Sequence, residues 1–287
     1  MLYLLDATYE LFRAFFAMPS EKAPDGREVG AIRGLIGSTL ALLRQPDVTH
    51  IAAATDHVIE SFRNQLFAGY KTGDGIDPDL WAQFPLAEEA LRTLGVAVWP
   101  MVEFEADDAL ATAAQRFAGD VDRVVILSPD KDLMQCVVGD RVVTHDRVRR
   151  KTYDAAAVRV KFGVAPESIP DLLALVGDAA DGIPGLRGWG TKSAAAVLSE
   201  YTHLEAIPQS AAEWRITLRN AATLAATLAD HRAEAQLYKT LATLRRDVPL
   251  REEFNDLAWR GVPRDPYRAL CERWGFSDLA ARPAQWQ

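Results

Sequence analysis

The chain has 287 residues, of which 49% are hydrophobic and 25% are charged, and its formal net charge is −8. This composition supports a hydrophobic core in one large domain or two smaller ones, and it excludes fibrous, low-complexity and disordered proteins. The two cysteines are too few for a disulfide framework or a cysteine-rich zinc site. The apolar N-terminus is interrupted by Asp6, Glu10 and Arg13, so we expect a cytoplasmic protein with no signal peptide and no membrane span.

Short apolar runs alternate with helical patterns through the first half of the chain. Strands are predicted at residues 1–6, 49–56, 96–99, 123–128 and 140–145. Helices are predicted near residues 8–17, 30–44, 79–94 and 105–118. This alternation predicts an α/β fold with a mainly parallel sheet that is flanked by helices on both faces.

The pattern changes at about residue 154. From there the strand signals stop, and helical stretches separated by Gly and Pro continue along the chain. We therefore expect two domains, an α/β domain at residues 1–160 and a helical domain at residues 161–287.

The negative net charge by itself argues against a protein that binds nucleic acid. The distribution of the charge weakens that argument, because residues 103–132 hold eight acids against three bases, and residues 171–181 hold three acids and no base. These two segments together account for the whole net charge of −8, so the rest of the chain is neutral overall. Such a local concentration of acids indicates that the acids have a function.

Several of the acids fall where predicted strands end. Asp6 and Asp56 end the first and second strands, and Asp130 follows the fourth, with Asp132 two residues later. Because the carboxyl ends of parallel strands lie along one edge of a sheet, where ligand sites of open α/β folds form, we expect these side chains to approach one another.

Two further groups of acids have a three-residue spacing. Glu105 and Asp108, with Asp107 between them, open a predicted helix, and Asp178 and Asp181 precede a Gly/Pro turn. Each group alone is consistent with ordinary helix capping. Together with the strand-end acids they make nine carboxylates, and such a cluster must take up protons or bind cations. Oxygen ligands favour Mg²⁺ or Mn²⁺ over zinc, and two such ions about 3.5–4 Å apart form the arrangement that cleaves phosphodiesters.

Fewer basic residues are candidates for contacts with a phosphate backbone. Arg13 follows Asp6, Arg63 and Lys71 follow Asp56, and the basic run at 147–151 is predicted to be a solvated turn. The segment 182–198 is more specific, because it has glycines for tight bends and a lysine where the free backbone amides of a helix start can bind phosphate. It resembles a helix–hairpin–helix motif, which binds the DNA backbone. Its key residues are Gly185, Gly188, Gly190 and Lys192.

Taken together, these motifs resemble those of the 5′-nuclease superfamily, which comprises the 5′→3′ exonuclease domain of bacterial DNA polymerase I, phage 5′-exonucleases and flap endonucleases. The resemblance extends over nearly the whole chain. In order, the matching segments are LLDATYELFRAF, TD, SFRNQLFAGYK, FEADDALA, SPDKDLMQ, GDAADGIPGLRGWGTKSA and LRRDVPL. It implies a PIN-like (resolvase-like) catalytic domain with a helical arch near 63–95, followed by an α-helical DNA-binding domain with a helix-three-turn-helix near 171–200.

The resemblance also implies roles for individual residues. Lys71 matches the lysine at the base of the arch, close to the scissile phosphate, and Arg63 and Arg13 match residues that bind the substrate. The segment 182–198 matches the part that holds duplex DNA and often a K⁺ ion. The acids that match the family's ligands for two divalent ions are Asp6, Asp56, Glu105, Asp107, Asp108, Asp130, Asp132, Asp178 and Asp181.

The sequence departs from the family pattern at three places. Asp74 stands where an arginine is common, in a loop about one residue shorter, so the balance between exonuclease and flap endonuclease activity stays open. Trp189 replaces an aliphatic residue, and we predict that it packs in the core. The chain ends where a polymerase would continue, which predicts a stand-alone nuclease.

The resulting hypothesis is a structure-specific 5′-nuclease that hydrolyses DNA by two-metal-ion catalysis in replication or repair. We expect a monomer that acts on DNA with 5′ flaps, nicks or ends, close to the nucleoid. Two alternatives stay open. A PIN-type ribonuclease would share the carboxylate-lined sheet but not the arch lysine, and a catalytically silent DNA-binding protein would have no need for nine intact carboxylates.

Overall fold

The computed structural model describes all 287 residues of the chain. They form two compact units, each assembled from separate stretches of sequence. The first unit contains Met1–Ile59, Gly73–Ser128 and Arg246–Gln287, and the second contains Glu60–Thr72 and Pro129–Arg245. The C-terminal stretch therefore packs with the N-terminal part of the chain. The predicted domain boundary at residue 160 divides the chain by sequence position, and it stays a prediction.

Helices outnumber strands in the structure. The strands are β1 (Leu2–Asp6), β2 (His50–Asp56), β3 (Ala97–Met101), β4 (Val124–Leu127), β5 (Val142–Asp146) and β6 (Lys151–Tyr153). The helices are α1 (Ala7–Ala17), α2 (Gly30–Leu43), α3 (Phe62–Leu66), α4 (Pro78–Trp81), α5 (Phe84–Thr93), α6 (Ala106–Phe117), α7 (Ala155–Phe162), α8 (Ile169–Val176), α9 (Thr191–Tyr201), α10 (Ala221–Asp230), α11 (Arg232–Ala242) and α12 (Arg264–Trp274). Short 3₁₀ helices lie at Asp132–Cys136, Pro166–Ser168, Leu204–Ala206, Ala211–Glu213 and Phe254–Leu257. No helix is both long enough and apolar enough to cross a membrane.

A parallel sheet in the order β3-β2-β1-β4 forms the centre of the first unit. All five residues of β1 and the central five of β2 are buried, because helices cover a parallel sheet on both faces and leave no strand face in water. The helix α6 packs on β1, β2 and β3, while α1 and α5 pack on β2. The predicted mainly parallel sheet flanked by helices is confirmed.

The predicted helix at 79–94 is wrong as a single element, because the structure has α4 and α5 there. Pro85 lies in the first turn of α5, where its missing N–H and fixed φ are compatible with a helix start but not with a helix interior. The intervening Gln83 is fully buried; its side chain accepts from the N–H of Ile32 at 3.2 Å and donates to the carbonyl of Asp79 at 2.9 Å. Two short elements, α3 and β6, were not predicted.

The second unit has its own hydrophobic core, which centres on α8. Nearly every residue of α8 is buried, and α9 and α11 pack against it. Trp189 belongs to this core with 6% of its surface exposed, and its ring lies 6.2 Å from that of Trp214. The prediction that Trp189 packs in the core is therefore confirmed. In the same unit β5 and β6 form an antiparallel pair.

Candidate metal centre

Asp6 lies where β1 ends and α1 begins. Its Oδ1 accepts a hydrogen bond from the backbone N–H of Tyr9 at 2.9 Å, and its Oδ2 accepts one from the hydroxyl of Ser128 at 2.8 Å. The register explains the second contact, because Leu5 on β1 lies opposite Leu127 on β4, so the residues that follow meet at the carboxyl edge of the sheet. These contacts hold a nearly buried carboxylate at the edge that the strand pattern predicts.

Asp56 ends the neighbouring strand β2 and is tied to the start of two helices. Its Oδ1 accepts from the N–H of Ala106, the first residue of α6, at 2.7 Å. Its own backbone N–H donates to the hydroxyl of Thr8 in α1 at 2.8 Å. The first N–H groups of a helix have no partner inside the helix, and the helix dipole favours an anion there. Asp56 therefore gains stabilisation from the same helix start that presents the next acids.

Glu105 and Asp108 form a capping box at the N-terminus of α6. The N–H of Glu105 donates to Oδ2 of Asp108 at 3.0 Å, and the Glu105 carboxylate accepts from the backbone of the first turn. Both side chains are buried, whereas Asp107 is half-buried. The capping role that the spacing indicates is therefore confirmed. The capping box holds Glu105 and Asp108 beside Asp56.

The second unit brings together a separate set of acids. Carboxylate oxygens of Asp132, Asp178 and Asp181 all lie within 4.8 Å of one another, which is close enough for one cation to contact all three. Asp130 joins the set through its Oδ1, which accepts from the N–H of Asp132 at 2.9 Å. One oxygen of Asp132, Oδ1, is buried without a hydrogen-bond partner. A buried carboxylate oxygen without a hydrogen-bond partner is suited to bind a cation.

A tight loop after α8 positions Asp178 and Asp181. Asp178 and Ile183 exchange both backbone hydrogen bonds at 2.8 Å, so the loop closes as a small β-bridge. Gly182, at φ +73°, lies so close to Gly69 that a Cβ atom on it would be 2.0 Å from the Gly69 carbonyl oxygen. The N–H of Lys71 donates to the carbonyl of Asp181 at 3.0 Å. The segment after α3 therefore lies directly against the acidic loop.

Burial and mutual repulsion perturb the acids of this second set. Burial raises the pKa of Asp132 well above its usual value, and the charges of Asp130, Asp181 and Asp178 raise it further. Burial also raises the pKa of Asp130, as do the charges of Asp181 and Asp178, against the lowering effect of the Asp132 N–H and of Lys71. Carboxylates this close cannot all ionise without a cation nearby. Their oxygen-only donor set fits a hard divalent ion.

Two lysines form ion pairs with this cluster. The Nζ of Lys131 lies 2.7 Å from Oδ1 of Asp178, and the Nζ of Lys71 lies 3.1 Å from Oδ1 of Asp181. Lys71 was predicted as a site residue, but Lys131 was not, although its place between Asp130 and Asp132 could have indicated it. Four carboxylates against two ammonium groups leave a formal charge of −2. One divalent ion would neutralise that charge.

Arg63, a predicted catalytic and DNA-binding residue, is 1% exposed. Its Nε donates to the carbonyl of Leu241 at 2.8 Å and its Nη2 to the carbonyl of Thr243 at 3.1 Å. The guanidinium also lies 4.7 Å from the centre of the Phe62 ring. These contacts connect α3 to the end of α11. A direct contact of Arg63 with DNA stays a prediction.

Arg13, another predicted DNA-binding residue, lies on α1 of the first unit. It forms an ion pair with the buried Glu10, whose carboxylate also accepts from the hydroxyl of Ser38 at 3.2 Å. The Arg13 side chain is 30% exposed. The Arg13 side chain is therefore partly accessible at the surface while its ion pair with Glu10 holds it in place.

The predicted helix–hairpin–helix segment consists of α8, a glycine-rich loop and α9. Gly185 and Gly188 have φ +69° and +85°, and a Cβ atom on Gly185 would be 2.4 Å from the backbone nitrogen of Gly177. Gly190 precedes α9, and its N–H donates to the hydroxyl of Ser193 at 3.1 Å. Lys192 is exposed in the first turn of α9. A helix N-terminus with an adjacent free-standing lysine is suited to a phosphate.

Comparison with protein families gives two adjoining matches. The 5′-3′ exonuclease N-terminal resolvase-like domain matches residues 1–163, and the 5′-3′ exonuclease C-terminal SAM fold matches residues 164–265. DNA polymerase I of Bacillus caldotenax is 34% identical over 284 residues, which cover 97% of this chain and 32% of that protein. A 5′-3′ exonuclease of Aquifex aeolicus is 34% identical over 207 residues, which cover 72% of this chain and 71% of that protein. The chain thus spans about a third of the length of the polymerase.

The fold also matches solved structures. The 5′-exonuclease of T5 with bound divalent metal ions (zinc) has a TM-score of 0.70 at 18% identity, over 84% of this chain and 88% of that one. The bacteriophage T5 D15 flap endonuclease in a complex with DNA and metal ions has a TM-score of 0.64 at 19% identity, over 84% and 88% of the two chains. At such identities the likeness shows the fold alone. With a resolvase-like domain match over more than half of its length, the chain belongs to the 5′-3′ exonuclease family.

Proposed function

We propose that this protein is a divalent-metal-dependent 5′-nuclease that hydrolyses DNA as a 5′→3′ exonuclease and flap endonuclease. The observation that carries the proposal is the second-unit cluster, in which the oxygens of Asp132, Asp178 and Asp181 lie within 4.8 Å of one another. Lys71 and Lys131 pair with this cluster and supply positive charge next to it. Membership of the 5′-3′ exonuclease family supports the same activity.

The donor set favours Mg²⁺ or Mn²⁺. Asp132, Asp178 and Asp181, with Asp130 behind Asp132, would hold one ion, and we propose that the predicted first-unit ligands serve a second. Those are Asp6, Asp56, Glu105, Asp107 and Asp108. Bound divalent ions would polarise the phosphate and lower the pKa of a water molecule, as in other two-metal phosphodiesterases. A K⁺ ion near the glycine-rich loop before α9 is a further proposal, based only on the resemblance.

The chain's own residues contribute orientation and charge. Lys71 is held by two contacts with Asp181, through its backbone N–H and its Nζ, and its side chain is 29% exposed. An ammonium group in this position can move from a carboxylate to a phosphate oxygen and stabilise the charge that develops during cleavage. Arg63 acts differently in this proposal, because its buried contacts with Leu241 and Thr243 keep α3, and so the chain leading to Lys71, in place.

DNA binding is proposed for the loop before α9. The exposed loop at Gly188 and the free backbone amides of the first turn of α9, with Lys192 in that same turn, can bind phosphates without contact to bases. Such binding fits an enzyme that recognises the shape of DNA with 5′ flaps, nicks or ends. We further propose a monomer that works in the cytoplasm on nucleoid DNA, with residues 1–160 as the catalytic part and residues 161–287 as the DNA-binding part.

The test is cleavage of a labelled DNA panel that contains a 5′ flap, a nick and a blunt end, with the products mapped to the nucleotide. In Mg²⁺ the wild type should leave a 5′-phosphate and a 3′-hydroxyl. D178N should lower the cleavage rate by about 10²–10³ or more, because it weakens the site for the divalent ion that would stabilise the charge developing in the transition state. D120N, at an exposed turn, is the matched control and should cleave like the wild type.

Each alternative has its own outcome in the same assay. Cleavage of single-stranded RNA without cleavage of flap DNA would identify a PIN-type ribonuclease instead. Flap binding without cleavage in Mg²⁺ or Mn²⁺ would identify a catalytically silent DNA-binding protein. Full activity of D178N would remove the role assigned to the second-unit cluster.

A further inference from the structure

The lysines of this chain differ in whether a carboxylate accompanies them. Of its seven lysines, four lie within 4.0 Å of an aspartate or glutamate oxygen, and three have no such partner. The paired lysines are Lys22, Lys71, Lys131 and Lys239. The three without a carboxylate partner are Lys151, Lys161 and Lys192. All three belong to the second unit, in a protein whose net charge is −8.

Two of these lysines share one aromatic ring. The Nζ of Lys151, on β6, lies 4.9 Å from the ring centre of Tyr153, and the Nζ of Lys161, on α7, lies 4.4 Å from the same centre. Lys161 also lies 4.8 Å from the ring centre of Phe162. Tyr153 is buried, so the ring supports both ammonium groups from the protein side while both lysines stay exposed. Cation–π contacts of this kind fix a charge without neutralising it.

The third lysine lies on α9, which the residue at the end of α7 approaches closely. Gly163 ends α7 at φ +74°, and a Cβ atom on it would be 2.9 Å from the Cβ of Ala195 on α9. Ala195 lies three residues after Lys192, and residues at that spacing share one helical face. Lys161 is two residues before Gly163. We name the surface formed by Lys151, Lys161 and Lys192 the lysine face.

Two arginines beside these lysines also have no carboxylate partner, and Asp146, which lies opposite Lys151 in the β5–β6 pair, forms its ion pair with Arg149. Arg150, in the turn before β6, and Arg159, in the last turn of α7, are exposed and have no carboxylate within 4.0 Å. The predicted solvated turn at 147–151 is thus part of a larger basic surface. Adjacent cations without carboxylates repel one another, and a polyanion with regularly spaced charges would remove that repulsion. Double-stranded DNA, with one negative charge per about 1.7 Å of axis, is such a polyanion.

We propose that the lysine face binds the phosphate backbone of duplex DNA and extends the footprint of the α9 N-terminus toward β6. This inference rests on the proposed function, since it describes how a DNA substrate is held. It assigns to Lys151 and Lys161 one phosphate contact each, with no contact to bases. Binding through these lysines is therefore independent of sequence and sensitive to salt.

The test is the salt dependence of duplex binding, measured by fluorescence anisotropy without divalent metal, so that no cleavage occurs. Each phosphate contact contributes about 0.9 to the slope of log K against log salt. The double variant K151Q/K161Q should therefore lower the slope by about 1.8 on a long duplex. K151R/K161R, which keeps both charges, should retain the wild-type slope.

A matched control is available in the first unit. Arg264 and Arg268 on α12 are exposed, and they lie 5.3 and 5.8 Å from the ring centre of Trp286, so they also form a pair of cations on one ring. R264Q/R268Q removes the same charge from a different surface and should leave the slope unchanged. An unchanged slope in K151Q/K161Q, or an equal fall in R264Q/R268Q, would overturn the inference.

The two proposals fail in different ways. If the wild type cleaves flap DNA and binds duplex DNA with a slope that the lysine variants do not change, the lysine face is excluded and the proposed function stands. If the wild type neither binds nor cleaves DNA, both proposals are wrong. Circular dichroism of each variant checks that a lower slope does not result from unfolding.

Discussion

The two sets of acids differ in how their negative charges are compensated. In the first unit, Asp6, Asp56 and Asp108 accept hydrogen bonds from backbone N–H groups and from the Ser128 hydroxyl. In the second unit, Asp132 has a buried oxygen without a partner, and burial and like charges raise its pKa. The first set is therefore stabilised by the fold itself. The second set is held against its own repulsion and needs cations, at present from Lys71 and Lys131.

This difference separates two requirements of a metal site, a fixed geometry and a high affinity for the ion. Hydrogen-bonded carboxylates at strand ends and helix starts keep their geometry with or without an ion. Carboxylates that repel one another favour an ion strongly, because binding removes the repulsion. A protein with only the first kind would be ordered but would bind ions weakly. The following predictions test whether the contrast is real, in order of decreasing effect.

The largest effect is expected at the loop that presents Asp178 and Asp181. G182A puts a Cβ atom 2.0 Å from the Gly69 carbonyl oxygen at a positive φ, so it should lower the free energy of unfolding by about 2–4 kcal/mol. G188A is the control, because it has a similar φ but no atom within 4 Å of its Cβ, and it should cost about 1–2 kcal/mol. Urea unfolding measures both. Equal costs would mean that the approach of Gly182 to Gly69 does not matter.

Replacement of an aspartate by asparagine should change the stability of the metal-free protein differently in the two sets. D132N removes a repelling charge, so the metal-free protein should be as stable as the wild type or more stable. D108N weakens the capping box of α6 and should cost about 0.3–1 kcal/mol. In Mg²⁺ at 100 times its Kd the wild type should gain about 2.7 kcal/mol, and D132N should lose most of that gain. Thermal unfolding with and without Mg²⁺ distinguishes these results, and a destabilised metal-free D132N would contradict the contrast.

The lysine next to the second set should matter mainly when metal is absent. K131M leaves the buried Asp178 without its cation, so it should destabilise the metal-free protein by about 1 kcal/mol, since Lys131 is itself 37% exposed. Added Mg²⁺ should restore most of the loss. K22M is the control, because Lys22 pairs with the buried Glu28 of the first unit at 3.2 Å, and Mg²⁺ should not restore its stability. Recovery of both variants, or of neither, would argue against a cation-dependent cluster.

The smallest effect concerns a first-unit acid away from the predicted ligands. Burial raises the pKa of Glu28, but hydrogen bonds from the Ser20 hydroxyl and from the N–H groups of Glu21 and Gly30, together with Lys22, outweigh burial and hold it at about 2. Its folded pKa lies below the ordinary value of 4.5, so its contribution to stability is present above pH 4.5 and is lost as the pH falls toward 2. E28Q should therefore reduce the difference in stability between pH 5 and pH 2.5, measured by urea unfolding. An unchanged pH dependence would show that Glu28 is not stabilised in its ionised form.

Much of the first unit could be predicted because its signals are local. Alternation of apolar runs and helices indicates a parallel sheet, and the ends of its strands follow directly from the ends of those runs. Asp6 and Asp56 are therefore found at the carboxyl edge where they were expected. The acids of α6 could be assigned to a helix start from their spacing alone. Trp189 could be assigned to the core because a side chain of its size is seldom left in water.

Other features could not be predicted, because they depend on residues far apart in the chain. Arg63 is buried against carbonyls 178 and 180 residues away, and no local pattern indicates such a contact. The buried Gln83, which lies between α4 and α5, bonds to Ile32 on another helix 51 residues earlier. Arg246–Gln287 packs with the first unit, and the helical pattern of the sequence does not indicate which part of the protein a helix packs against.

The sequence by itself determined which chemistry is available, since the nine acids and the glycine-rich segment are recognisable from residue type and spacing, and Lys71 from the family resemblance. The tertiary structure decided how those groups are used. It pairs Lys71 and Lys131 with Asp181 and Asp178, raises the pKa of Asp132, buries Arg63, and leaves the three lysines of the lysine face without a carboxylate oxygen within 4.0 Å. The physical reason is that charge, burial and hydrogen bonding depend on distances in space, whereas spacing along the chain determines only which side chains share a strand end or a helix face.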